Sequence, residues 1–101
     1  MVMRKSGTTL AYVNPEPWVD TTVALDVRPY ADVEVQLVGL ATAYTPQRSL
    51  DGTNFVACNA YDKDGNAVST ISADGIYRLL GSGYLKLITG TGATVTMRAG
   101  S

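Results

Sequence analysis

Three runs of this chain alternate apolar and polar residues with period two, and that alternation restricts its fold more than any other feature. Over residues 22–27, Val23, Leu25 and Val27 share one face while Thr22, Ala24 and Asp26 share the other. Over residues 32–38, Val33, Val35 and Leu37 oppose Asp32, Glu34 and Gln36, and over residues 93–98, Val95 and Met97 oppose Thr94, Thr96 and Arg98. Side chains two apart share a face only in an extended strand, so these runs exclude an amphipathic helix. Turn signals recur every 8 to 12 residues or so, at Asp51-Gly52, Asp64-Gly65, Asp74-Gly75, Gly81-Ser82-Gly83 and Gly90-Thr91-Gly92. That interval is typical of sandwiches and barrels. The expectation is an all-β, two-sheet antiparallel β-sandwich of eight or nine short strands, with the jelly roll as one such winding.

The segment from Arg48 to Asn66 is the expected organiser of that sandwich. It holds Phe55-Val56-Ala57-Cys58-Asn59-Ala60-Tyr61, apolar on both alternating faces, between Asp51-Gly52 and Asp64-Gly65. Apolar residues on both faces suit an interior strand packed on two sides. Each Asp-Gly suits a type I′ hairpin turn, because glycine takes positive φ without steric cost. Asp51, Gly52, Asp64 and Gly65 are therefore turn-forming positions, with a thr/ser-rich strand at residues 67–72 closing the second hairpin. Cys58 is the only cysteine, cannot close an intrachain disulfide, and is expected as a buried apolar side chain.

At 101 residues the chain makes one domain, residues 1–101, opening on a polar lead at residues 1–7. An extended arm follows at residues 14–20. Pro15 and Pro17 fix φ and remove two donors there, so the arm has no place in a central strand. Trp18, the single tryptophan, has two readings: it caps this domain's own core, or with Pro15 and Pro17 it anchors the arm in a neighbouring subunit. Pro46 places residues 41–49 at a sheet edge or a bulge.

Charge and residue chemistry narrow the function classes. Eight basic against nine acidic residues give a net charge of −1, and the longest basic cluster is Arg4-Lys5, so no nucleic-acid footprint is visible. No run approaches 18 apolar residues and the amino terminus carries no secretory pattern, so the expectation is a protein made in the cytoplasm with no membrane partner. With no histidine in the chain, serine or cysteine nucleophiles lose their commonest base and zinc its commonest ligand. Asp51 with Asp62 or Asp64 is the one conceivable acid–base pair, and all three sit at polar turns where aspartate is favoured for backbone hydrogen bonding. The segment Asp62-Lys63-Asp64-Gly65-Asn66 matches the start of an EF-hand loop, but its glycine falls two positions early and Ala73 stands where a bidentate glutamate belongs. No catalytic residue, metal ligand or cofactor is expected.

A further pattern lies in Ser49-Leu50-Asp51-Gly52-Thr53-Asn54-Phe55, Gly75-Ile76-Tyr77-Arg78, Gly83-Tyr84-Leu85-Lys86-Leu87 and Gly90-Thr91-Gly92-Ala93-Thr94-Val95. This half of the chain resembles small β-sandwich virion proteins of tailed bacteriophages and prophages, which decorate capsids or form the base of head fibres and spikes. The resemblance implies a homo-oligomer located in the virion, with a major capsid or neck protein as partner. Charged residues are 17% of the chain against roughly 25% in soluble proteins, which suits a molecule whose surface is partly covered. The alternative is a small carbohydrate- or receptor-binding β-sandwich: a serine-flanked Asp-Gly turn before an aromatic also occurs in discoidin-like domains, and six tyrosines could stack on sugar rings. This chain is shorter than a discoidin domain and lacks its paired cysteines.

Overall fold

The computed structural model describes residues 12–100, which contain ten strands and no helix. In chain order they are β1 (Tyr12–Pro17), β2 (Leu25–Asp26), β3 (Asp32–Val38), β4 (Thr45–Ser49), β5 (Val56–Ala57), β6 (Ala60–Tyr61), β7 (Ala67–Val68), β8 (Gly75–Leu80), β9 (Tyr84–Ile88) and β10 (Thr94–Gly100). The polar lead expected at residues 1–7 lies outside the described residues. All pairings are antiparallel, in a six-stranded sheet ordered β1-β10-β3-β8-β6-β7 and a four-stranded sheet ordered β2-β9-β4-β5.

The pairs are nested along the chain: β1 with β10, β2 with β9, β3 with β8 and β4 with β5. A strip folded once on itself gives those pairs. Wrapping the strip adds β10 to β3 and β9 to β4, so the strip closes into two sheets. This is the winding of a jelly roll, with β6 and β7 added as a hairpin beside β8.

The core lies between the sheets. Val33, Val35 and Leu37 of β3 are fully buried, with Val95, Met97 and Ala99 of β10 and Leu79 of β8 beside them in the large sheet and Leu85 and Leu87 contributed by β9 of the small one. Each such side chain contributes about 1.5–3 kcal/mol on leaving water. The ends of the sandwich are closed from the connections by Trp18, Val27, Tyr30, Tyr44 and Ile71, all buried. Tyr44 and Ile71 exchange backbone hydrogen bonds of 3.0 and 2.8 Å, tying the β3–β4 connection to the β7–β8 connection.

Several expectations change in the folded chain. The segment 55–61 is not an interior strand: it divides into β5 at the edge of the small sheet and β6 in the large one, and Val56 is 66% exposed. The chain crosses between the sheets at Cys58-Asn59, so Val56 and Ala57 lie exposed on a short edge strand while Ala60 is buried in the large sheet. That extra division brings the strand count to ten. Cys58 is half-buried at this corner and not fully enclosed. Residues 22–27 form only the two-residue β2, since Asp20 draws the chain into a turn by accepting from the Thr22 amide at 3.0 Å and the Thr22 hydroxyl at 2.6 Å.

Neither Asp-Gly makes a type I′ turn. Gly52 and Gly65 have φ of 79° and 81°, but Asp51 and Asp64 keep negative φ, whereas a type I′ turn needs positive φ at both central residues. At Gly65 the amide donates to the Asp62 carbonyl at 2.9 Å and the Asp62 amide to Asn66 at 3.0 Å, so the β6–β7 loop carries its left-handed residue after the turn. Gly52 sits in the longer β4–β5 loop with its α-carbon against the Tyr84 ring, where a β-carbon would come within 3.2 Å. Pro46 is buried in β4 between β9 and β5. Its carbonyl accepts from the Cys58 amide at 3.0 Å, so its missing donor faces the short edge strand and costs no bond to β9.

Candidate functional site

The alternation of β3 sends Asp32, Glu34, Gln36 and Val38 away from the core, and the same period sends Thr96 and Arg98 of β10, Ile76, Arg78 and Leu80 of β8 and Tyr61 of β6 to that outer face. Register then fixes who sits beside whom. Arg98 pairs with Glu34, Glu34 with Arg78 and Arg78 with Tyr61, so one row across β10, β3, β8 and β6 reads Arg98, Glu34, Arg78, Tyr61. The neighbouring rows read Thr96, Gln36, Ile76 on one side and Gly100, Asp32, Leu80 on the other.

Arg98 is ion-paired with Glu34, and Arg78 Nη2 lies 3.4 Å from Asp32 Oδ1. Exposed pairs of this kind contribute about 0–1 kcal/mol each, so they balance the charge of the face more than they hold the fold. Around them Val38, Ile76 and Leu80 stand more than half exposed. Two shallow grooves cross the face, one of about 180 Å³ bordered by Pro15, Glu34, Gln36, Ile76, Thr96 and Arg98, the other of about 220 Å³ bordered by Asp32, Tyr61, Arg78 and Leu80. Small-molecule sites enclose about 300–1,000 Å³, so neither groove is a cleft of that kind.

The arm at residues 14–20 divides between surface and core. Pro15 and Pro17 are exposed on β1, the edge strand of the large sheet, whose register with β10 shifts between Val13 and Glu16. Trp18 is 6% exposed, donates its amide to the Val95 carbonyl at 2.8 Å and turns its indole nitrogen toward the Val23 carbonyl at 3.4 Å. It caps this domain's own core and is unavailable as an anchor in a neighbour. Val19, 92% exposed, takes the outward place beside it.

The turn aspartates serve the backbone. Asp51 accepts from the amides of Thr53 and Asn54, each at 2.8 Å, from the Asn54 side chain at 3.0 Å and from the Ser49 hydroxyl at 2.8 Å. Asp62 accepts from the amides of Asp64 and Asn66, each at 2.9 Å, and Asp74 from those of Gly39 and Leu40 at 3.0 and 2.9 Å. These bonds hold all three carboxyls below the usual aspartate range, which keeps them ionised and unsuited to giving up a proton near neutrality. Asp51 lies in a loop of the small sheet and Asp62 and Asp64 in a hairpin of the large one, so the conceivable acid–base pair falls on separate loops. Among the described residues no three histidine, cysteine or acidic side chains gather as a metal site. Burial pushes the Cys58 thiol up, away from the thiolate that nucleophilic chemistry needs.

The tyrosines are largely committed to the fold. Tyr30, Tyr44 and Tyr77 are buried; Tyr44 accepts from the Ala93 amide at 3.2 Å and Tyr77 donates to the Ala73 carbonyl at 2.8 Å. Tyr84 is half-buried against Gly52, with the Arg28 guanidinium 5.0 Å from its ring centre. Tyr61, 42% exposed, is the most open tyrosine among those with described side chains. Sequence reasoning separated the outward residues of β3 correctly but missed Tyr61 and Arg78 as their neighbours, because which strand pairs with which is not written in local periodicity. Family models, curated proteins and solved structures were compared with this chain, and none matches.

Proposed function

We propose that this protein is a structural component of a bacteriophage virion, of the capsid-decoration or head-fibre and spike-base type, and that it works through protein–protein contacts. The observation that carries the reading is the outer face of the six-stranded sheet, where balanced Arg98–Glu34 and Arg78–Asp32 pairs lie among exposed Val38, Ile76 and Leu80 without a cleft. A broad, shallow face of mixed polarity suits a macromolecular surface better than a small substrate. The jelly roll itself is shared by viral capsid and lectin domains, so the winding is compatible with the reading without selecting it.

In this reading the protein occupies the virion as a homo-oligomer, with a major capsid or neck protein as partner. The exposed edge of Pro15, Pro17 and Val19 supplies contacts to that partner, while Trp18 fixes the edge to the domain from inside. The test is electron microscopy of purified particles made with and without the protein, together with its detection in the particle fraction. Copurification and a defined loss of density are expected. Binding of the isolated domain to a glycan array, with no enrichment on particles, would replace this reading with the carbohydrate-binding one.

A further inference from the structure

We infer that the outer face of the six-stranded sheet pairs with the same face of a second copy of this chain, about a two-fold axis running along the strands between β3 and β8. The order of the central row, Arg98, Glu34, Arg78, Tyr61 across β10, β3, β8 and β6, points to this axis. A two-fold axis in the plane between stacked faces, parallel to the strands, sets β3 over β8 of the other copy and β10 over β6. Glu34 then meets Arg78 twice and Arg98 meets the Tyr61 ring twice. The row is complementary to itself in that placement, which uses all four of its residues. An axis lying along β3 would instead set Arg98 over Arg78, two like charges.

The flanking rows fit the same axis, because Gln36 lies over Ile76 and Asp32 over Leu80, with no like charges opposed. Cation–aromatic contacts and arginine–carboxylate pairs are both favoured at interfaces, and arginine and tyrosine are enriched there while lysine is depleted. This row carries two arginines, a tyrosine and no lysine. Aligned stacking of two sheets at about −30° is ordinary for sandwich proteins, so the backbone geometry asks for nothing unusual.

Size sets the strength. β10 and β3 at seven residues, β8 at six and β6 at two, spaced about 4.8 Å apart with about 3.3 Å per residue, offer roughly 350 Å² per copy. Standard interfaces bury about 800 Å² per partner, so this dimer is a weak one, with a dissociation constant on the order of 10–1,000 µM. In an assembly of many copies such a contact gains from its neighbours by raised effective concentration.

Analytical ultracentrifugation of the isolated protein from about 10 µM to about 1 mM tests the inference. Reversible dimerisation is expected. Glu34→Arg sets arginine against Arg78 at two places, and Arg78→Glu sets glutamate against Glu34 at two places, so each variant alone should dimerise at least about 10-fold more weakly. Mixed together they should recover a heterodimer within about 3-fold of the wild-type affinity, since both contacts are then between opposite charges. Circular dichroism and urea midpoints establish that both variants are folded. If either is not, Tyr61→Ala takes its place and should weaken the dimer about 3- to 10-fold through loss of the contact to Arg98.

A wild-type protein that remains monomeric at about 1 mM overturns the inference, as does a dimer indifferent to these substitutions or variants that fail to recover on mixing. These measurements are made without particles. A dimer through this face in a protein that never enters virions would leave the inference standing and remove the virion reading, and the converse result would do the reverse.

Discussion

Replacing Gly81 by alanine should be among the most damaging single-methyl additions this domain can receive. A β-carbon built at Gly81 falls 2.1 Å from the Tyr30 carbonyl oxygen, 2.9 Å from its carbon and 3.0 Å from the Ala31 carbonyl carbon. These are backbone atoms, so no side chain can swing aside. The Tyr30 carbonyl also accepts the Ser82 amide at 2.7 Å, the Gly81 amide donates to Ala31 at 2.8 Å, and the Gly81 carbonyl accepts Arg48 Nη2 at 2.8 Å. Opening the contact to van der Waals distance moves at least one of these bonds out of range. Overpacking costs about 1–3 kcal/mol and a lost hydrogen bond about 0.5–1.5 kcal/mol, so the expected loss is roughly 1.5–4.5 kcal/mol. That is a large part of the 5–15 kcal/mol typical of a small domain. Urea unfolding followed by the fluorescence of buried Trp18 measures it directly. A loss under about 1 kcal/mol would show that the β2–β3 and β8–β9 connections can separate freely, and would refute the close approach as the reason for glycine here.

Further outcomes follow from the same structure. Gly65→Val should cost about 1–3 kcal/mol, less than Gly81→Ala, because a β-carbon at Gly65 meets nothing within 4 Å and only the φ of 81° resists a branched side chain; a urea midpoint within error of wild type would contradict this. Trp18→Ala should destabilise the isolated domain by about 3–5 kcal/mol, as expected of an emptied core site, and a change below about 1 kcal/mol would return Trp18 to the surface. Asp51, Asp62 and Asp74 have folded-state pKa values below the ordinary value of about 3.9, so their contribution to stability is complete above that pH and is lost as pH falls through the lowered values. The urea midpoint should therefore decline below about pH 4, and Asp51→Asn should make the decline shallower. Melting with and without a chelator should give the same Tm, and a loss of several degrees would point to a bound metal that stabilises the native state.

The sequence by itself determined the local part of this protein. Alternation in β3 and β10 assigns Val33, Val35, Leu37, Val95 and Met97 to the core, and all five are buried there, because a strand's side-chain period is a property of its own backbone. The glycines with positive φ at 52 and 65 and the aspartates beside them were legible for the same reason: an Asp-Gly turn is set within four or five residues. What the sequence could not determine is everything that depends on which distant segments meet. Residues 55–61 carry apolar side chains on both faces, and that pattern fits equally an interior strand and a chain crossing from one sheet to the other; the β4–β5 and β6–β8 pairings decided for the crossing. Trp18, Tyr30, Tyr44 and Ile71 have no strand periodicity to mark them, yet they close the ends of the core because the nested β1–β10 and β3–β8 pairings bring their connections over it. The row Arg98, Glu34, Arg78, Tyr61 spans 65 positions of sequence, from Glu34 to Arg98, and becomes contiguous only through those same long-range pairings, since hydrogen-bond register between strands is fixed by how two sheets bury their inner faces together.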